Sequence, residues 1–100
     1  MDPERISDFN ISDVVIPTAG RDQDALFYVI SEDSTYVFLA NGKDRTLDKP
    51  KRKKRKHVQK VLRSETRVAD KLRRGDKVLN GELRRDLAFL AQDASENLGG

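Results

Sequence analysis

One hundred residues with 36% hydrophobic and 37% charged side chains allow one domain with a modest core, or one small domain with an appendage. The formal net charge of +3 conceals segregation, because residues 49–60 carry a net +8 between an acidic residues 1–48 (net −6) and a near-neutral residues 61–100 (net +1). The absence of cysteine excludes disulfides and thiolate metal sites, and a single histidine, His57, argues against a transition-metal centre, so no cofactor is expected.

Residues 1–12 read as a flexible N-terminus, acidic through Asp2, Glu4 and Asp8 and without the apolar stretch of a signal peptide. Val14-Val15-Ile16 is a β-branched run stopped by Pro17, and residues 18–24 are turn-forming. Residues 25–30 and 35–40 predict two further strands paired as a hairpin. Asn41-Gly42 then predicts a tight turn, because both residues tolerate positive φ. A fourth strand is expected over residues 44–47, running into the basic block. Strands two and three are apolar on both faces, so both sides need cover. Short strands joined by tight turns, with no helix between them, predict a mainly β fold: a small SH3-like antiparallel barrel over residues 13–60. No stretch is apolar for long enough to span a bilayer. A cysteine-free chain of this kind suits a reducing, cytoplasmic setting.

After the block the period changes from 2 to 3.6, which predicts a helical segment over residues 61–92. Ser64 is the expected N-cap of a first helix carrying Val68, Ala69 and Leu72, ended by Gly75. Asn80 begins a second helix with Leu83, Leu87, Leu90 and Ala91 on one stripe. Residues 93–100 lose the pattern and read as a flexible tail.

The block is the expected contact surface. Lys49, Lys51, Arg52, Lys53, Lys54, Arg55 and Lys56 place seven of the twenty Lys and Arg residues in eight positions, and no core can bury such a run unpaired. It must face water or a polyanion, and nucleic acid is the commonest polyanion. Four or five engaged side chains predict a slope of log affinity against log salt of roughly −3 to −4, without sequence readout. His57 and Lys60 adjoin the run. Arg21 either contacts RNA, with Gly20 allowing close backbone approach, or pairs with Asp22 or Asp24 in a surface turn. Phe27, Tyr28, Tyr36 and Phe38 read chiefly as core, with Tyr28 and Tyr36 the better candidates for stacking on bases. No catalytic motif is present, so the chain reads as a non-enzyme without a small-molecule substrate.

Residues 14–29, with Ala19-Gly20-Arg21-Asp22 after the first strand, resemble the KOW motif, a strand-loop-strand element of ribosomal proteins and NusG-class transcription factors. Together with Lys49-Pro50-Lys51-Arg52-Lys53-Lys54 and the segment 71–84, they are most similar to small stand-alone KOW-domain RNA-binding proteins, which are themselves similar to one class of large-subunit ribosomal protein. The resemblance implies an SH3-like barrel that binds RNA in a translation setting, with ribosomal RNA or the ribosome as partner. Asp24 and Phe27 stand where the general pattern has glycine. Phe27 matches the stand-alone group, whereas the Asp24 carboxylate makes the loop less attractive to phosphate. Two other functions compete. One is a protein-interaction adaptor using the amphipathic helices; the other is DNA binding through the helix pair, with Arg84 and Arg85 facing the duplex.

Overall fold

A computed structural model describes residues 9–20 and 25–99, the last six of these by backbone alone. Arg21, Asp22, Asp24 and the expected flexible stretch 1–8 lie outside the described residues. The chain forms β1 (Asp13–Pro17), β2 (Phe27–Glu32), β3 (Tyr36–Ala40), β4 (Lys51–Lys54), a 3₁₀ turn (Arg55–His57), β5 (Val58–Arg63), α1 (Arg67–Arg74) and α2 (Asn80–Gly99). The strands make one five-stranded antiparallel sheet in the order β4-β3-β2-β1-β5, with β4 and β5 as its two edges, not joined to each other. Its register shifts against β5 between Val14 and Val15, and against β3 between Val29 and Ser31. Such irregularities bend a sheet and raise its twist.

The two-sided apolar character of the strands has a simple outcome, because successive side chains point to opposite faces. Val15, Phe27, Val29, Val37, Leu39 and Val58 line one face and are closed over by Phe9. Val14, Tyr28 and Ala40 line the other, and Val68, Ala69, Leu83, Leu87 and Leu90 of the two helices cover it. The helix stripes are therefore turned onto the sheet. Among the described residues, Leu79, just before α2, and Phe89, on α2, are large apolar side chains left exposed.

Several boundaries differ from the sequence expectation. Phe9 and Ser12 are buried, so the part of the N-terminus from residue 9 onward is packed rather than loose. No strand forms over residues 44–47. Asn41 instead folds the chain back on itself, its Oδ1 accepting the N–H groups of Lys43 and Arg45 at 3.0 Å each, and residues 41–50 form a connection. The fourth strand is the basic run itself. The fifth strand, Val58–Arg63, runs from the last residues of the expected barrel into 61–63, which read as the start of the helical segment. The first helix is capped by Thr66, whose Oγ1 accepts the Ala69 N–H at 3.2 Å, and not by Ser64. The second helix continues through Gly99, across the residues expected as a tail.

Ser64 is committed elsewhere, which explains the shift of the cap. Its Oγ lies 2.8 Å from the Tyr28 hydroxyl, which also donates to Asp86 of α2, while Thr66 Oγ1 donates to the same carboxylate at 2.8 Å. This group joins β2 to both helices. Burial first, and then the hydrogen bond to Asp86, push the Tyr28 phenol up to about 12 from its model-compound value of 10.0. The folded phenol keeps its proton where the unfolded one has released it. The contribution is complete below pH 10 and is lost as the pH rises towards 12, by about 2 kcal/mol. Urea titrations between pH 9 and 12 should show the wild type losing this stability, and Tyr28→Phe should flatten that part of the curve.

Candidate nucleic-acid interface

A strand of four consecutive cations is unusual, and its pairing explains how it is tolerated. Lys51, Arg52, Lys53 and Lys54 stand opposite Leu39, Phe38, Val37 and Tyr36 of β3. Backbone bonding to β3 holds the run extended, while among the described residues the outer side of β4 has no partner strand. Directly opposed residues share a face, so the run is divided in two. Lys51 and Lys53 lie on the side of Val37 and Leu39, at the rim of the inner core. Arg52 and Lys54 lie on the opposite side with Tyr36 and Phe38.

On the first side, Lys53 meets the β1–β2 connection. Gly20 has φ +95°, and a Cβ built on it would come within 2.9 Å of the Lys53 Nζ. Gly20 thus allows an approach to the lysine that a side chain would crowd. Thr18 is tied to the same region, donating its N–H to the His57 carbonyl at 2.8 Å. Strand β4 and the Gly20 loop, separated by some thirty positions in sequence, are therefore neighbours in space.

On the second side, the Arg52 guanidinium stands 4.5 Å from the centroid of the Tyr36 ring. Tyr36 and Phe38 are only partly buried, and neither belongs to either core cluster. Phe27 and Tyr28 are fully buried, so of the four aromatic side chains considered from sequence those of β3 are the accessible pair. Beyond the end of β4, Ser34, Thr35, Lys54, Arg55 and Lys56 line a shallow depression. Asp33 accepts the N–H groups of Tyr36 and Thr35 at 2.7 and 2.9 Å, which chiefly hold its carboxyl below the usual range, with smaller help from Arg55 and Arg52.

The expected site residues divide by what already holds them. Lys49, Lys54 and Lys56 are exposed and Lys53 half-buried, and among the described residues none of them is in an ion pair. Lys51 is half-buried and does have an interaction of its own. Arg55 is engaged by its own chain: it pairs with Glu32, donates from Nε to the Asp33 carbonyl at 2.9 Å and lies 5.8 Å from the Phe9 ring. Lys60 pairs at 3.2 Å with Asp13, whose side chain is only 1% exposed. These two cations neutralise carboxylates of the fold. His57 is half-buried beside the run. Arg84 and Arg85 are exposed on α2, remote in sequence from β4. Among the described residues no cluster of His, Asp and Glu could hold a metal ion, and no helix is long and apolar enough to cross a membrane.

Neither a protein-family model nor a curated protein sequence matches the chain. The likeness to KOW-domain proteins accordingly rests on the residues quoted for it. Phe38 is the least legible residue of the candidate interface: its β-propensity fits core and surface equally, and only pairing with a cationic strand sets it apart.

Proposed function

We propose that the chain is a non-catalytic RNA-binding module, an SH3-like KOW barrel that contacts structured RNA through the cations of the β4 edge and the Gly20 loop. The observation that carries this reading is the approach of Lys53 to Gly20, because it joins the two stretches on which the KOW resemblance rests. The barrel reading is supported by β1 lying between β2 and β5 and by the short 3₁₀ turn that leads from one sheet edge to the other. Lys53, Lys54 and Lys56 supply the phosphate contacts, with Lys49, Lys51 and His57 flanking them. Arg55 and Lys60 hold the scaffold. Contacts of this kind position a polyanion without reading its sequence. A ribosomal partner and a cytoplasmic location follow from the resemblance to the stand-alone KOW proteins.

The test is a salt titration of RNA affinity by fluorescence anisotropy, comparing the wild type with Lys53→Gln/Lys54→Gln/Lys56→Gln. Removing three phosphate contacts should lower the magnitude of the log–log salt slope by roughly 2 on single-stranded RNA and weaken binding at every salt concentration. The urea midpoint should hardly move, since none of the three is in an ion pair of the described fold. Unchanged affinity and slope in a folded variant would overturn the proposal.

A further inference from the structure

The division of β4 into two faces gives Arg52 a different environment from Lys51 and Lys53 on either side of it. Arg52 is exposed, yet its guanidinium is placed over the Tyr36 ring instead of extending into water. The contact is diagonal across the β3–β4 pair, since Arg52 stands opposite Phe38 and Tyr36 opposite Lys54. A long side chain reaches a diagonal neighbour readily, and attraction between the cation and the ring face orients the planar group. Phe38, directly opposite Arg52, adds a second partly exposed ring on the same face. One guanidinium and two partly exposed aromatic rings thus share one face of the sheet edge, and Lys54 lies on the same face.

A phosphate needs only positive charge, which lysine supplies as a point donor. A planar guanidinium backed by an aromatic ring offers in addition a face on which another planar group can lie. The A-form duplex presents its phosphates, 2′-hydroxyls and shallow groove, and keeps its base faces stacked within. Only an unpaired nucleotide brings a free base face to such a surface. Resting on the RNA-binding reading above, we propose that Arg52, Tyr36 and Phe38 form a stacking platform for an unpaired nucleobase, so that the preferred RNA carries single-stranded nucleotides beside the phosphate path of Lys53, Lys54 and Lys56.

The platform is separable from the clamp because Arg52→Lys keeps the charge and removes the plane. Anisotropy should be measured for wild type, Arg52→Lys, Phe38→Leu and Lys54→Gln on a labelled single-stranded RNA and on a blunt duplex with the same number of phosphates. A 2-aminopurine in the single strand reports stacking directly. Arg52→Lys should weaken single-strand binding about 5- to 50-fold, with Phe38→Leu in the same direction, and relieve the 2-aminopurine quench. Duplex affinity should stay within about twofold and the salt slope should not change, because no phosphate contact is lost. Lys54→Gln should instead weaken both RNAs and lower the slope by about 0.7 on the single strand. If the wild type binds both RNAs and Arg52→Lys affects them equally or not at all, the platform is refuted and the clamp stands. If the wild type binds neither RNA, the clamp fails and the platform with it. Arg52→Lys keeps the charge at an exposed position, so it decides the matter even if Phe38→Leu loosens the sheet.

Discussion

Gly42→Ala should be the most damaging single-methyl change in the chain, lowering stability by about 4 kcal/mol or preventing folding. Gly42 has φ +79°, a conformation that costs an L-residue roughly 1–2 kcal/mol by itself. More serious is the space. A Cβ there would overlap the Asn80 carbonyl oxygen and approach the Arg84 amide nitrogen to 3.0 Å, and both are backbone atoms of α2. Neither can rotate aside, so the helix would have to move off the loop. That movement would also strain the 2.8 Å hydrogen bond from the Leu47 N–H to the Asn80 side chain. Gly75 provides the control: its φ is +76°, but a Cβ would meet nothing within 4 Å. Gly75→Ala should therefore cost only the conformational part, about 1–2 kcal/mol. Urea midpoints of the two variants, measured side by side, separate the clash from the backbone preference. Equal losses would show that α2 is not seated against Gly42.

Leu83→Ala should cost about 3 kcal/mol, whereas Phe89→Ala should cost less than about 0.5 kcal/mol. Both lie on α2, six positions apart, and both are large and apolar. Leu83 is 0% exposed and packs with Val14, Tyr28 and Ala40, whereas Phe89 is 60% exposed. The comparison measures whether the helical stripe of Leu83, Leu87 and Leu90 is held by the sheet. A helix swinging free of the sheet would make the two losses alike. Far-UV circular dichroism alongside denaturation shows whether α2 stays helical when Leu83 is shortened.

The first three strands were legible because their signals are local. Val14-Val15-Ile16 before Pro17, and the two apolar runs on either side of residues 31–34, need no knowledge of what lies across from them. The fourth and fifth strands depend on partners. Lys51–Lys54 has neither β-branched side chains nor alternation, and it is extended because β3 offers an unpaired edge to bond. In β5 the shift of register at Val14/Val15 leaves Val61 without a place in the pairing and 43% exposed, which breaks the alternation that would have marked a strand. The Gly75 stop follows from capping chemistry, and α2 does start at Asn80, but not through an Asn80 cap: the Asn80 Oδ1 accepts the Leu47 N–H, and Glu82 accepts the Leu79 N–H at the helix start. Ser64 does not form the expected cap either. Its hydroxyl is drawn to Tyr28, a residue far away in sequence. The candidate interface was legible as charge and illegible as geometry. No count of lysines shows that Arg55 and Lys60 answer Glu32 and Asp13, or that alternate members of the run point to opposite sides.

An exposed edge strand offers a row of unsatisfied backbone donors and acceptors, the ordinary starting point for sheet-to-sheet aggregation. On β4 that row is fringed by a cation at every position. A second copy approaching to pair there would bring ammonium and guanidinium groups against their like, across a strand spacing of about 4.8 Å. The side chains proposed to hold RNA thus also act as gatekeepers against self-association. Their neutralisation, by glutamine substitution or by high salt, should be watched for precipitation as well as for lost binding.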